Sequence, residues 1–311
     1  MRILVLAPNY GTRVNWGHQL WRNEIARQHS AIFHGNGHKL SGHTDVRELV
    51  KEYGPFDVVT VGENPRHFEH YEHLDKCSAV KVCFVCDYWG GKKVNYNRLI
   101  RKHQIDVVIM PNKWTADEME EMKCTGYFDK DIQINILPYV YAVDTRIYYD
   151  REPDRKYDVM CIYGLFEPIY PKRPELQRLV NEMDRRTLIG NWKTGIKNYK
   201  YVTALQQSKI FVSVNGIYKS LTMKYFEAMA CGTLFLTDRP KDLEYFGIKN
   251  GVHLVCYTDF DDMEKKVEYY LTHEDERLEI VQAGKRFAED KFNMKGMVGQ
   301  WTNIVEKYFQ Q

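Results

Sequence analysis

The chain has 311 residues, 44% of them hydrophobic, so it can bury a full core and suits two domains of ordinary size. A formal net charge of only +2, with both signs mixed along the chain, excludes a global field that would draw it to nucleic acid, a membrane or an acidic partner. No apolar run reaches membrane-spanning length and the opening MRILVLAPNY lacks a small-residue cleavage site, so a soluble cytoplasmic protein is expected.

RILVLAP opens the chain as a strand, and AIFH, FDVVTVG, VKVCFVCD, IDVVIMP and INILP follow with amphipathic stretches between them. Near-continuous apolar strands separated by helices signal a parallel sheet covered on both faces. After Pro138 the stretch YVYAVDTRIYYDREPDRK is polar, tyrosine-rich and aperiodic, and reads as a connection. The pattern then restarts. YDVMCIYG, TLIG, KIFVSVN, TLFLTD and VHLVCY alternate with RPELQRLVNEMD, NYKYVTALQQS and LTMKYFEAMA, and helices around 259–272, 274–290 and 296–309 close the chain. The expected fold class is α/β, with two Rossmann-like, doubly wound parallel-sheet domains at 1–145 and 146–290 and a terminal helix in 291–311. Open parallel sheets bind ligands beyond the carboxyl ends of their strands, so the functional residues are expected just after strands, facing a cleft.

Seven cysteines sit mostly inside apolar runs, where a reduced thiol behaves as a small hydrophobe. Cys83 and Cys86 form a C-x-x-C, but on a strand positions i and i+3 face opposite sides, and no second pair completes a site. Buried structural thiols are expected there.

The stretch KYFEAMACGTLFLTD, residues 224–238, puts a lysine and a carboxylate on a helix that otherwise docks on an apolar sheet. Ser220 or Thr222 can cap that helix, whose free N–H groups and positive dipole end suit a phosphate. Lys224 adds a full charge, and Glu227, three residues on, shares its face. A carboxylate can accept from both hydroxyls of a vicinal diol such as ribose, so phosphate at Lys224 and ribose at Glu227 describe a nucleoside diphosphate. Ala228, Ala230 and Gly232 are small enough to let backbone approach it. The competing reading is an exposed i, i+3 ion pair.

SLTMKYFEAMACGTLFLTD and the segment from FGIKNGVHLVCY to KRFAED resemble the C-terminal half of glycosyltransferases of the GT-B fold, most of all the CgeB-like branch of spore maturation and phage genomes. The resemblance covers residues 157–300 well. It implies that Glu227 binds the ribose of a nucleotide sugar, with a UDP-sugar expected, and that Lys224 replaces the family's diphosphate-contacting arginine without its bidentate fork. It further implies Arg173, in YGLFEPIYPKRPEL, as a basic residue at the donor phosphates, against a solvated helix start. Gly190, Asn191 and Trp192 resemble the loop that cradles the nucleobase, although Trp192 suits a buried core equally. The last helix, with Trp301, is expected to return to the N-terminal domain, and Gly11 and Thr12 follow the first strand where this fold brings backbone near the reacting sugar.

On the acceptor side, CDYWGGKKVNYNRLIRKH places Asp87 at a strand end. The aspartate can act as general base on an acceptor hydroxyl, or it can simply cap a turn. Tyr88 and Trp89 offer stacking surfaces, and Lys92, Lys93, Arg98, Arg101 and Lys102 a local positive patch; a solvated helix face and a polyanion site both fit. Phage members of such families glycosylate hydroxymethylated DNA bases, which makes DNA a possible acceptor. His67, His70 and His73 recur every third residue and lack the i, i+4 spacing of a paired metal site, so no metal centre is expected. The resemblance implies catalysis without a bound metal, with Mg2+ as an aid to product release.

These residues together point to a glycosyltransferase moving a sugar from a nucleotide diphosphate donor to an acceptor hydroxyl. The alternatives are a nucleotide-sugar epimerase or hydrolase, or a binding protein without turnover. Asp87 as base favours inversion; the FEAMACG resemblance favours retention.

Overall fold

A computed structural model describes residues 1–8, 17–38, 42, 44–61, 70–85, 96–113, 128–129, 131–151 and 154–309. The chain divides into two compact units, Met1–Val140 with Met294–Gln311, and Tyr141–Asn293.

In the first unit, β1 (Arg2–Leu6), β2 (Ser30–His34), β3 (Val58–Val61), β4 (Val80–Phe84), β5 (Val107–Met110) and β6 (Ile134–Ile136) make one parallel sheet in the order β2-β1-β3-β4-β5-β6. The inner strands β1, β3, β4 and β5 are runs of β-branched and apolar residues buried on both faces, the edge strands β2 and β6 are half-buried, and helices α1 (Gly17–Gln28), α2 (Val46–Tyr53) and α3 (Tyr96–Lys102) alternate with them. The terminal helix α9 (Met294–Glu306) packs on α1 in this unit, as expected. Trp301 is fully buried and meets Trp21 edge-on at 6.2 Å, and Phe84 stands 5.9 Å from Trp21. Removing an indole from water takes away roughly 200 Å2 of accessible surface, about 5 kcal/mol before ordering is counted, which suffices to fix a helix so distant in sequence. His29 Nε2 to Thr302 Oγ1 at 2.9 Å adds a polar tie.

The second unit holds β7 (Tyr157–Ile162), β8 (Thr187–Gly190), β9 (Ser208–Ser213), β10 (Leu234–Asp238) and β11 (Val255–Tyr257), all parallel, in the order β11-β10-β9-β7-β8. Helices α4 (Arg173–Glu182), α5 (Tyr199–Gln206), α6 (Met223–Ala230), α7 (Phe260–Thr272) and α8 (Glu274–Lys291) connect or close it. Residues 141–145 go with this unit, where the Val143 N–H donates to the Phe292 carbonyl at 2.7 Å. The topology reverses between β7 and β9, and a doubly wound sheet opens a crevice at such a switch point. There the loops after β7 and β9 touch: Ile217 N–H donates to the Ile169 carbonyl at 2.9 Å. A Cβ on Gly216 would lie 2.8 Å from that carbonyl, so glycine permits the approach.

Gly232 has a different role from the one its size suggested. It takes φ +68° just past α6, its N–H reaches the Met229 carbonyl and the Thr233 N–H reaches the Ala228 carbonyl, which together terminate the helix. A Cβ there would lie 2.3 Å from the Asp150 carboxylate. Arg155 donates to that carboxylate and to the Cys231 and Gly232 carbonyls, so the glycine serves the helix end and not a ligand.

Cys83, Cys161, Cys231 and Cys256 are buried free thiols. Burial pushes Cys161 up to about 12 and Cys256 up to about 11, which keeps both protonated and inert at neutral pH. Cys86 lies outside the described residues. Among the described residues no helix is long and apolar enough to cross a membrane.

Candidate active site

The carboxyl ends of β7 and β9 gather three charged side chains of the second unit. Arg173 opens α4 after the β7 loop, and Lys224 and Glu227 lie one turn apart on α6 after the β9 loop. Burial pushes the Lys224 ammonium toward neutrality, Arg173 adds to that push, and Glu227 opposes it.

Arg173 is 3% exposed, which overturns the solvated-helix reading. Its guanidinium lies over the ring of Tyr170, 3.2 Å from the centroid, and 4.7 Å from that of Tyr163, and it donates to the Gly164 carbonyl at 2.7 Å. Its buried Nε–H has no partner. Arginine keeps its charge even when burial lowers its pKa, as here, so a full positive charge is held beneath the loop with a donor unspent.

Lys224 is partly buried, and loss of solvation together with the neighbouring guanidinium brings its pKa down to about 8. Thr222 occupies the N-cap position of α6 in extended conformation, but its side chain makes no capping bond. The expected hydroxyl cap is therefore absent, and the backbone alone sets the helix start.

Glu227 is 4% exposed, so the surface ion-pair reading fails as well. Burial pushes its carboxyl above the usual range, while Lys224 and two tyrosine hydroxyls oppose that shift. Tyr201 of α5 donates to Oε2 at 2.9 Å, and Tyr148, from the tyrosine-rich stretch, also hydrogen-bonds the carboxylate. Neither tyrosine was visible as a site residue in the sequence. The pairing depends on contacts 26 and 79 residues away (227 − 201 and 227 − 148), which no local pattern encodes.

Beside this cluster, Gly190 ends β8, and the Asn191 side chain accepts from the N–H groups of Lys193 at 2.8 Å and Thr194 at 3.2 Å, closing the turn. The side chain of Trp192 lies outside the described residues. A separate cavity of about 430 Å3 opens at the carboxyl ends of β9, β10 and β11, lined by both signs of charge, Lys172, Lys219 and Arg239 with Glu175, Asp238 and Asp259; Arg173, Lys224 and Glu227 do not line it.

Residues 166–303 match a family model described as glycosyl transferase-like. That glycosyl transferase-like stretch contains Arg173, Gly190, Asn191, Lys224 and Glu227. No curated protein sequence matches the chain. Among solved structures, HepE of Anabaena in complex with UDP-glucose is similar at TM-score 0.69 and 11% identity, over 99% of this chain and 100% of that one. Sucrose-phosphate synthase of Thermosynechococcus elongatus follows at TM-score 0.65 and 12% identity, over 100% and 99%. An alpha-glucosyltransferase in complex with UDP-glucose and DNA containing an abasic site reaches 0.61 at 11% identity, over 98% and 99%. Likeness at this identity carries the fold, which is GT-B: two Rossmann-like parallel-sheet domains with the terminal helix returning to the first.

Of the remaining sequence candidates, Gly11, Thr12, Asp87, Tyr88, Trp89, Lys92 and Lys93 lie outside the described residues. Arg101, counted in the positive patch, is engaged by Asp129 and Asp131, so its charge is largely spent within the unit. His73 contacts Asp45 at 3.1 Å, and His67 lies outside the described residues. Among the described residues no group of three or more histidine, cysteine, aspartate or glutamate side chains is placed to hold a metal ion.

Proposed function

We propose that this chain is a nucleotide-sugar-dependent glycosyltransferase of the CgeB-like branch, taking a sugar from a UDP-sugar and placing it on an acceptor hydroxyl. The observation that carries the reading is a buried guanidinium with an unspent N–H and a half-buried ammonium at the switch point of the second sheet, set beside a buried carboxylate. Two desolvated positive charges on one carboxylate leave an excess that an anionic ligand would balance. A diphosphate supplies that charge against Arg173 and Lys224, and a ribose supplies a diol for Glu227. HepE, bound to UDP-glucose in one structure and UDP in another, supports the choice of nucleotide.

In this reading Arg173, Lys224 and the start of α6 stabilise the departing UDP, a task that basic groups and helix N–H donors perform without a metal. Mg2+ is not required in this reading and would help product release. The loop 190–192 holds the base, Gly11 and Thr12 approach the transferred sugar, and Asp87 orients or deprotonates the acceptor hydroxyl.

UDP is expected to raise the melting temperature by mass action, and a chain that shows no shift and no calorimetric signal with UDP at millimolar concentration does not have this function. Turnover of a UDP-sugar without any acceptor would identify the hydrolase or epimerase instead, and binding with no turnover the non-catalytic protein. The pH dependence follows from Lys224. Its ammonium is the binding form, and its pKa in the free protein is about 8. UDP affinity should therefore fall by up to tenfold per unit above pH 8, a limb separate from the one near pH 6 where the ligand's own terminal phosphate takes up a proton. Lys224→Arg should flatten that fall.

A second reading concerns the acceptor. The neighbour seen with DNA and the run from Tyr88 to Lys102 favour a hydroxymethylated base of phage DNA, with the host cytoplasm as the compartment. It predicts DNA binding at low salt that weakens with added salt and falls when Lys92 and Lys93 are neutralised. Lack of binding at low salt would remove this acceptor.

A further inference from the structure

We infer that Tyr148 and Tyr201 are positioning residues that hold the Glu227 carboxylate so that it recognises a ribonucleotide and discriminates against its deoxy counterpart. This rests on the proposed donor site. The two hydroxyls arrive from different parts of the second unit, Tyr201 from α5 and Tyr148 from the stretch between residue 141 and β7, and both are buried, at 7% and 1% exposure. Both end on one carboxylate.

An ionised carboxylate offers about four lone-pair sites. Two tyrosine donors occupy two of them and leave two, the number that the 2′ and 3′ hydroxyls of a ribose require. The bracket also fixes the plane of the carboxylate, since rotation would break both tyrosine bonds together. A deoxyribose fills one of the two remaining sites and leaves the other buried without a donor, and such an orphan is what makes a polar pocket reject the analogue that lacks the group. Burial and the nearby carboxylate raise both phenols well above their ordinary value, so they remain protonated donors throughout the physiological range.

A purely structural role would be satisfied by any pair of donors that neutralises the buried carboxylate, and would give no preference between sugars. The two roles separate in one experiment with three probes, UDP, 2′-deoxy-UDP and inorganic pyrophosphate, titrated calorimetrically into the wild-type chain, Tyr201→Phe, Tyr148→Phe and the double variant. The wild-type chain is expected to prefer UDP over 2′-deoxy-UDP by about tenfold or more, the value of one hydrogen bond to a charged group. Each single variant should lower that preference, and the double variant should bring it below about threefold, while pyrophosphate binding at Arg173 and Lys224 stays within twofold. If the preference survives in the folded single variants, or if pyrophosphate affinity falls in parallel with UDP affinity, the positioning role is wrong although the donor site stands. If the wild-type chain binds neither UDP nor pyrophosphate, the donor site itself is wrong. Near-ultraviolet circular dichroism of each variant establishes folding, and the single variants decide the question should the double variant fail to fold.

Discussion

Glu227→Gln is expected to weaken UDP binding by about 2 to 3 kcal/mol, roughly thirty- to hundred-fold, with the fold retained. Hydrogen bonds to an ionised acceptor are worth about twice those to a neutral one, and the carboxamide offers one oxygen where the carboxylate offers two. A second effect adds to the first. Glu227 is the charge that raises the Lys224 pKa against burial and Arg173, so its neutralisation lets that pKa fall further below about 8. The deficit should accordingly be larger at pH 8 than at pH 6.5, where Lys224 keeps its proton in both proteins. Calorimetry at the two pH values measures it, and a glutamine variant with wild-type affinity at both would separate the carboxylate from the ligand. Glutamine is the informative substitution. Alanine would confuse binding with stability, because it strands the Tyr148 and Tyr201 hydroxyls in the core at about 1 to 3 kcal/mol each, less whatever is regained by no longer burying a carboxylate.

The strands of both sheets were legible because a strand buried on both faces has to be apolar along its whole length, and runs such as VKVCF and KIFVS can hardly be anything else when Gly, Pro and polar clusters bound them. Lys224 and Glu227 were legible for the opposite reason: charges on a helix that must bury its sequence neighbours stand out, and helical spacing puts them on one face. Arg173 was legible only through the family resemblance, which puts a basic residue for the donor phosphates in the loop after a strand. Its burial was not, because that depends on Tyr163 and Tyr170 closing around it, and a local charge pattern says nothing about what folds over it. The two tyrosines on Glu227 and the Asp150 carboxylate against Gly232 escaped for the same reason, since each pairs residues from separate elements. Thr222 illustrates a subtler miss. Of the two residues offered as the cap, Ser220 and Thr222, the second takes the N-cap position, but whether a hydroxyl bonds its helix depends on a rotamer that the residue type does not determine.

Arg173→Met should separate stability from binding more sharply than any other substitution in this unit. In the ligand-free protein the guanidinium gains a carbonyl bond and the faces of two aromatic rings, together about 2 to 5 kcal/mol, but it carries a buried unpartnered N–H and repulsion from Lys224 that offset a similar amount. A flexible apolar side chain of comparable length fills the slot between the rings, so the melting temperature without ligand should move by only a few degrees. Binding has no such compensation. A charge about 4 Å from a phosphate at an effective dielectric of 20 is worth roughly 4 kcal/mol, and even half of that lowers UDP affinity by thirtyfold. The same substitution should shift the alkaline loss of the remaining affinity to higher pH, because Arg173 is the neighbour that, after burial, does most to hold the Lys224 pKa down. UDP titrations across pH 6 to 10 on both proteins test the two statements together. A methionine variant that melts far below the parent would show the guanidinium to be structural, and an alkaline limb at an unchanged pH would show that Arg173 does not hold the Lys224 pKa down.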